Sequence, residues 1–516
     1  MWLVALVVVI LAAGVLLVDL TRPPAPSPVP GASSGSVRIS GSTPSSFDPA
    51  PQSDVGTAAI VSQIYESLTT LDSKIVPRPA LAGSWDALDG GRRFVFHLRP
   101  GLTFSDGTSL TGADVVRSWL RVIDPTHPSP LASLMGAVDG ADDYLHGIST
   151  DQSTVGLRAS GSDVEVRLTH PELQFPAIIA SPTFGVVPEG TPDGRIGSGG
   201  YVVSSASADE IVLMANAKYW AGPPAIRTVH VVSLPPNVNP VQPYVDGQLD
   251  YTRISGYDAT WIAFDPTLGP DLRDVPSTGL TYLGFDVRQK PFDDVRVRQA
   301  FALAVDWQRI VELSSIGTSI PATSMVPPGI PGRSSRDFGQ HADPARARQL
   351  LAAAGYPNGA GFPSVIYVSN GTGVDGAILR QLHDVLGITV RFEAMDSGPY
   401  FARLHSDPPA MWSLGWVADY PSPDDFLRVL LGTGESTAYG HWSSPEFDAA
   451  IVDAGAATDP ATILAAYERA ESIVQRDVPV IPLSYGSGWA LSRKGLLGAT
   501  DNGLGIVRFA GLAWAP

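Results

Sequence analysis

The residues able to do chemistry in this 516-residue chain are dispersed. There is no Cys, which excludes thiolate nucleophiles, disulfides, thiolate metal sites and iron–sulfur clusters. No Gly-rich segment ends in the Gly-Lys-Ser/Thr that cradles a nucleotide phosphate. The nine His include no pair at i, i+2 or i, i+4, so a helical zinc site is not encoded. Gly31-Ala32-Ser33-Ser34-Gly35 spells G-x-S-x-G but follows a Pro-rich stretch, not the strand that a nucleophile elbow requires. Gly197-Ser198-Gly199-Gly200-Tyr201 is Gly-rich without completing G-x-G-x-x-G. The acid pairs Asp293-Asp294 and Asp424-Asp425 read as helix N-termini, where carboxylates are electrostatically favoured. Nothing places a second group opposite them for acid–base work. Neither catalytic residues, nor a metal site, nor a cofactor is expected.

The elements that would position any site alternate between α and β. Ser36–Ser40, Phe94–Leu98 and Val164–Leu168 alternate as strands, and Val480–Leu483 is a short apolar strand. Thr57–Leu68 places Ile60, Ile64 and Leu68 on one helical face. Thr111 and Asp114 begin a helix carrying Val115, Val116, Trp119 and Leu120. Asp294–Leu303, Pro344–Ala354 and Ala461–Gln475 are further helices, the last with Leu464, Tyr467 and Ile473 as apolar contacts. His97 within Phe94–Leu98 is read as a strand residue.

Composition limits the class. Hydrophobic residues are 44% and charged residues 16%, the reverse of a disordered acidic chain. A net charge of −17 disfavours nucleic-acid binding, which needs cationic neutralisation of phosphates. Residues 2–18 carry no charge and are followed by a Pro/Ser-rich run. We read 1–20 as a transmembrane anchor or signal segment and 21–36 as a tether. Both readings export the remainder.

Seven segments recur along that remainder. They are Leu81-Ala82-Gly83-Ser84-Trp85, Phe94–Gly107, Thr111–Val115, Ala215–Gly222, Pro291–Ala300, Ala345–Pro357 and Gly415–Pro421. In this order they closely resemble the extracellular solute-binding proteins of family 5, the oligopeptide-, dipeptide- and nickel-binding proteins of ATP-driven (ABC) importers. The resemblance covers about residues 37–516. It implies an α/β, bilobed, periplasmic-binding-protein-like (Venus flytrap) fold with an extra inserted domain, preceded by the N-terminal hydrophobic helix. Mapped on this chain, lobe one comprises 37–76, 188–275 and 480–516, the inserted domain 77–187, and lobe two 276–479.

The resemblance also implies a function. The chain is expected to capture peptide-like solute at the outer face of the cytoplasmic membrane. It would deliver the solute to ABC permease subunits with a cytoplasmic ATPase, as a monomer and without catalysis. Alternatives are a nickel chelate, a sugar or a signalling peptide. By position, Asp419 would pair with a peptide α-ammonium, and Trp416 would form a flat apolar wall beside Gly415, Val417 and Tyr420. Ser53 and Val55 would face them from the other lobe, and Tyr485 would reach the cleft from the carboxy-terminal crossover. Asp419 could otherwise cap the helix beginning near Ser422 or Pro423. Ser413 stands where some oligopeptide-binding relatives have Arg, so the acceptor of a ligand carboxylate is not identified. Arg391 and Arg403 are the nearby cations.

Overall fold

Ser36–Ser40 is a strand with Val37 and Ile39 buried, as the alternation requires. It pairs parallel with Thr228–Val232 on one side and Tyr251–Ile254 on the other. In this computed structural model, residues 35–516 are described except 53, 191, 236, 276, 315–318, 372 and 436. The expected N-terminal helix, most of the tether and Ser53 therefore lie outside the described residues. Among the described residues, no helix is long and apolar enough to cross a membrane.

Three main sheets organise the chain. The first has seven strands in the order Leu272–Val275, Gly488–Ser492, Tyr251–Ile254, Ser36–Ser40, Thr228–Val232, Glu210–Ala215, Tyr201–Ala206. The second has six: Ser319–Pro321, Val480–Gly486, Gly279–Phe285, Met411–Val417, Val365–Ser369, Val390–Ala394. A third, antiparallel sheet is confined to residues 82–167 and packs on the helix Gly112–Leu120. There the Asp114 carboxylate accepts from the Thr111 amide at 2.9 Å and its hydroxyl at 2.8 Å. Trp119 is fully buried, edge-on to Phe184 and donating to the Phe184 carbonyl at 3.1 Å.

The backbone passes between the first and second sheets twice, between Val275 and Gly279 and at Ser487. One expectation is corrected here. Val480–Gly486, assigned in advance to lobe one, pairs antiparallel with Gly279–Phe285 in the second sheet. All residues from Val480 to Tyr485 are buried, so this strand is covered on both faces and belongs to a sheet centre. The crossover therefore falls after it.

Packing joins the layers. Leu71, Ile75, Ala177 and Leu504 share a core with Tyr282, Trp412 and Phe426 of the second-sheet side. Tyr420 and Val429 reach the core of the third sheet beside Phe94, Trp119 and Phe175. Arg298, on the helix Val295–Ala304, is buried and donates to the carbonyls of Phe292, Asp477 and Val478 at 2.7, 2.7 and 3.0 Å. It pins that helix to the approach of the returning crossover strand.

Gly284 lies in the crossover strand Gly279–Phe285, and a Cβ there would meet the Trp412 indole at 2.2 Å. Gly284→Ala is expected to destabilise the protein by about 1–3 kcal/mol through overpacking. The check is denaturant unfolding; an unchanged midpoint would show that the indole yields freely.

Candidate solute-binding site

Met411–Val417 is antiparallel to Gly279–Phe285 along its whole length. Its other edge pairs with Val365–Ser369 only at Met411 and Trp412. Past Trp412 that edge has no strand beside it among the described residues, and Gly415 has no heavy atom of theirs within 4 Å of where a Cβ would stand. The chain then turns through 418–422 into the helix Pro423–Leu431. The cap of this helix is Ser422, whose hydroxyl accepts from the Asp424 amide at 3.2 Å. Asp419 is thereby free of a capping role.

The turn borders a cavity of about 920 Å³. Gly415, Trp416, Val417 and Asp419 line it from the second-sheet side. Opposite, Gln52, Asp54 and Val55 come from the start of the helix Val55–Ile64, with Asp54 capping that helix through the Thr57 amide at 2.9 Å. Pro130, Leu131 and Pro182 add a wall from the third-sheet region, and Phe401 and His405 another from the helix Ser397–Ser406. The carboxy-terminal loop contributes Asn502, Leu504, Ile506 and Arg508. That loop is held by its own side chains. Asp501 accepts from the Gly503 and Gly505 amides at 2.8 and 3.0 Å, and Asn502 from the Leu504 amide at 3.0 Å. Gly505 has φ of +81°, and a Cβ on it would strike Val55, so glycine lets the loop approach the cavity wall.

Asp419 is the chemically exposed group. Its carboxylate has no hydrogen bond or ion pair among the described residues, and burial pushes its pKa up to about 7. Directly behind it, Asp425 is fully buried. Asp425 Oδ2 accepts from the Trp416 indole at 2.9 Å and the Asp419 amide at 3.2 Å, while Oδ1 has no partner among the described residues. Burial, then the neighbouring Asp419 charge, hold the Asp425 pKa well above the ordinary carboxylate range. Asp425 thus fixes both the indole wall and the backbone of Asp419. The sequence marks it only as a first-turn helix acid, because its partners are set by the turn that precedes the helix.

The expected residues divide clearly. Asp419, Trp416, Gly415, Val417 and Val55 meet around one cavity. Tyr420 and Tyr485 do not line it. Tyr420 is buried, with its hydroxyl donating to Asp424 at 2.5 Å beside Arg428. Tyr485 is buried too, accepting from the Ser324 and Thr323 amides at 2.8 and 3.1 Å and donating to the Ser324 carbonyl at 2.8 Å. Alternation sends Tyr485 to the face of its strand that packs on the 323–326 segment. Arg508, Asp425 and Phe401 were not foreseen.

Comparison with known proteins gives this geometry a family. The model for bacterial extracellular solute-binding proteins, family 5 (Middle), matches residues 76–438. The chain belongs to this family and is an extracellular solute-binding protein. It is 29% identical over 469 residues to the probable deoxycholate-binding periplasmic protein YgiS of Escherichia coli K12, covering 86% of each chain. It is 28% identical over 481 residues to the periplasmic oligopeptide-binding protein OppA of the same strain, covering 87% of this chain and 86% of OppA. In fold it is similar to the E. coli murein tripeptide binding protein MppA, with TM-score 0.82, 22% identity, and 95% of this chain and 100% of that one covered. Against Haemophilus influenzae OppA in complex with RPPGFSPFR the TM-score is 0.80 at 22% identity, covering 94% and 100%.

The raised carboxyl values carry a sign. A carboxyl with a native pKa near 7 keeps its proton after the unfolded chain, near pH 4, has lost it. The native state then binds more protons, so solute-free stability falls as pH rises from about 4 to about 7. Asp419→Asn is expected to flatten this fall relative to wild type. Thermal midpoints between about pH 4 and 8 test it; parallel curves for the two proteins would contradict the assignment.

Proposed function

We propose that this chain is the extracytoplasmic receptor of an ABC importer, capturing peptide-like solute between two lobes and handing it unaltered to a permease driven by a cytoplasmic ATPase. The first lobe is read as 37–76, 188–275 and 487–516, the inserted domain as 77–187, and the second lobe as 276–486. The observation carrying the reading is an unpaired, desolvated carboxylate on the wall of a cavity whose size suits a small solute. An incoming α-ammonium supplies the missing charge and lets Asp419 ionise. In a dry site this is a strong, charge-assisted hydrogen bond.

The other residues take complementary roles. Gly415 and Val417 offer the open edge of their strand to an extended peptide, a mode in which main-chain bonds give affinity without reading side chains. Trp416 offers a flat face that tolerates many side chains. Val55 and, by position, Ser53 close from the first lobe. Contacts made to both lobes at once stabilise only the closed form, so solute shifts the population towards it. The receptor works as a monomer at the outer face of the membrane, anchored or released according to the fate of residues 1–20.

A second reading is favoured by the predominance of apolar residues around the cavity and by the name of the relative YgiS: an amphipathic, non-peptide solute. Mass spectrometry of solute released from natively purified protein separates the two. Mixed short peptides are expected; a steroid or other non-peptide would displace the peptide reading. Asp419→Ala is expected to weaken peptide binding by roughly 2–5 kcal/mol, as truncation of one partner of a buried charge pair does. Calorimetry with an unchanged affinity would remove Asp419 from the site.

A further inference from the structure

Among the described residues lining the cavity, Arg508 is the only Lys or Arg. It sits at the end of the pinned 501–508 loop and lines the same cavity as the 415–419 turn. Its guanidinium is held from behind. Nη2 donates to Glu66 and, at 3.3 Å, to the Tyr219 hydroxyl, and Nη1 donates to Thr70. Glu66 is tied in turn by the Tyr219 hydroxyl at 2.9 Å and the Trp220 indole. The two partners differ in access. The Glu66 side chain is 3% exposed, whereas that of Arg508 is 36% exposed. A guanidinium has five N–H donors, and two of these, on Nε and Nη1, have no acceptor among the described residues.

We propose that the solute carries a carboxylate, that Arg508 receives it, and that the body between is largely apolar. The assignment rests on the reading of this cavity as the solute site. Three features support it. Among the described residues, an anion entering the cavity finds one guanidinium, whose ion-pair partner Glu66 is sealed away, in a lining that also carries the Asp54 and Asp419 carboxyls. The guanidinium is already ordered by Glu66, Thr70 and Tyr219, so little side-chain entropy is lost on binding. Arg508 follows the first sheet and Asp419 the second, so a solute with a cationic end and an anionic end ties the two sides together. This supplies the acceptor that the Ser413 position does not provide. A peptide C-terminus and the carboxylate of an amphipathic acid share this chemistry, and the ammonium contact to Asp419 is available only to the first.

The test compares matched acids and amides. Di-, tri- and tetraleucine are titrated calorimetrically alongside their C-terminal amides, and deoxycholate alongside its carboxamide. The proteins are wild type, Arg508→Lys, and the double variant Glu66→Gln/Arg508→Gln, which leaves no buried charge unpaired. Wild type is expected to prefer the acid by about tenfold or more, the scale of one hydrogen bond to a charged group. The double variant is expected to bind acid and amide within about threefold of each other, with Arg508→Lys between. Because acid and amide are compared within one protein, partial misfolding cancels. No acid preference in wild type, or a preference that the double variant keeps, overturns the assignment. If only the deoxycholate pair binds, the peptide reading falls and Arg508 is judged on that pair. A wild-type protein that binds neither pair overturns the apolar carboxylate as solute.

Discussion

A carboxylate without a partner, set in an apolar wall, is the constraint on which the rest of the site depends. Burying an isolated charge is expensive, and a protein normally avoids it by pairing or protonation. At Asp419 no described residue pairs it, and burial raises its pKa. The position is enforced by Asp425, which takes the Asp419 amide and the Trp416 indole on one oxygen. Two adjacent carboxyl groups in a dry site do not ionise together easily. The arrangement therefore leaves the outer one able to ionise once a cation comes beside it.

The second constraint is topological. The strands Gly279–Phe285 and Val480–Gly486 lie side by side in the second sheet, and each continues within a few residues into a neighbouring pair of the first. Cavity residues are thus distributed between bodies joined by two short connections. Residues 415–419 on one side and Val55 and the 501–508 loop on the other line one cavity, and Leu71 and Leu504 of the first side share a core with Tyr282 and Trp412 of the second. Relative motion about such connections is a common closure mechanism. It needs no rearrangement inside either sheet, whose buried strands resist deformation.

How much of this was legible in the chain depends on range. Local signals were read well: the strand at Ser36–Ser40, the Thr111–Asp114 helix start, and the acid pairs at helix N-termini, Asp294 as a cap and Asp424-Asp425 in a first turn, are where periodicity and capping put them. Gly415 to Asp419 could be read because they form one contiguous segment on one turn. Arg508 could not, because its environment comes from Glu66, Thr70 and Tyr219, up to 442 residues away in sequence. Asp425 was visible as a helix acid and invisible as a support, since its partners precede it across a turn. Tyr485 lies away from the cavity for the opposite reason. Its place near a crossover was clear, but which face of a fully buried strand it takes is decided by packing.

Perturbed titration alone would not have found this site. Glu172 and Glu471 are also pushed up to about 7 by burial. Glu471 accepts from the Met325 amide at 3.1 Å, so its cost is partly offset by a hydrogen bond, and the crevice that it borders has no room even for a water. Glu172 faces Asp424 and Arg428, a cluster in which Arg428 already bonds to Asp424 at 2.9 Å. Structural networks of this kind perturb pKa as strongly as functional ones do. What separates Asp419 is the conjunction of three properties: a desolvated carboxylate, no internal partner, and a roomy cavity in front of it. Core packing can produce the first by chance. It has no reason to maintain the second and third together, because a core acid is kept where a partner inside the fold offsets its desolvation.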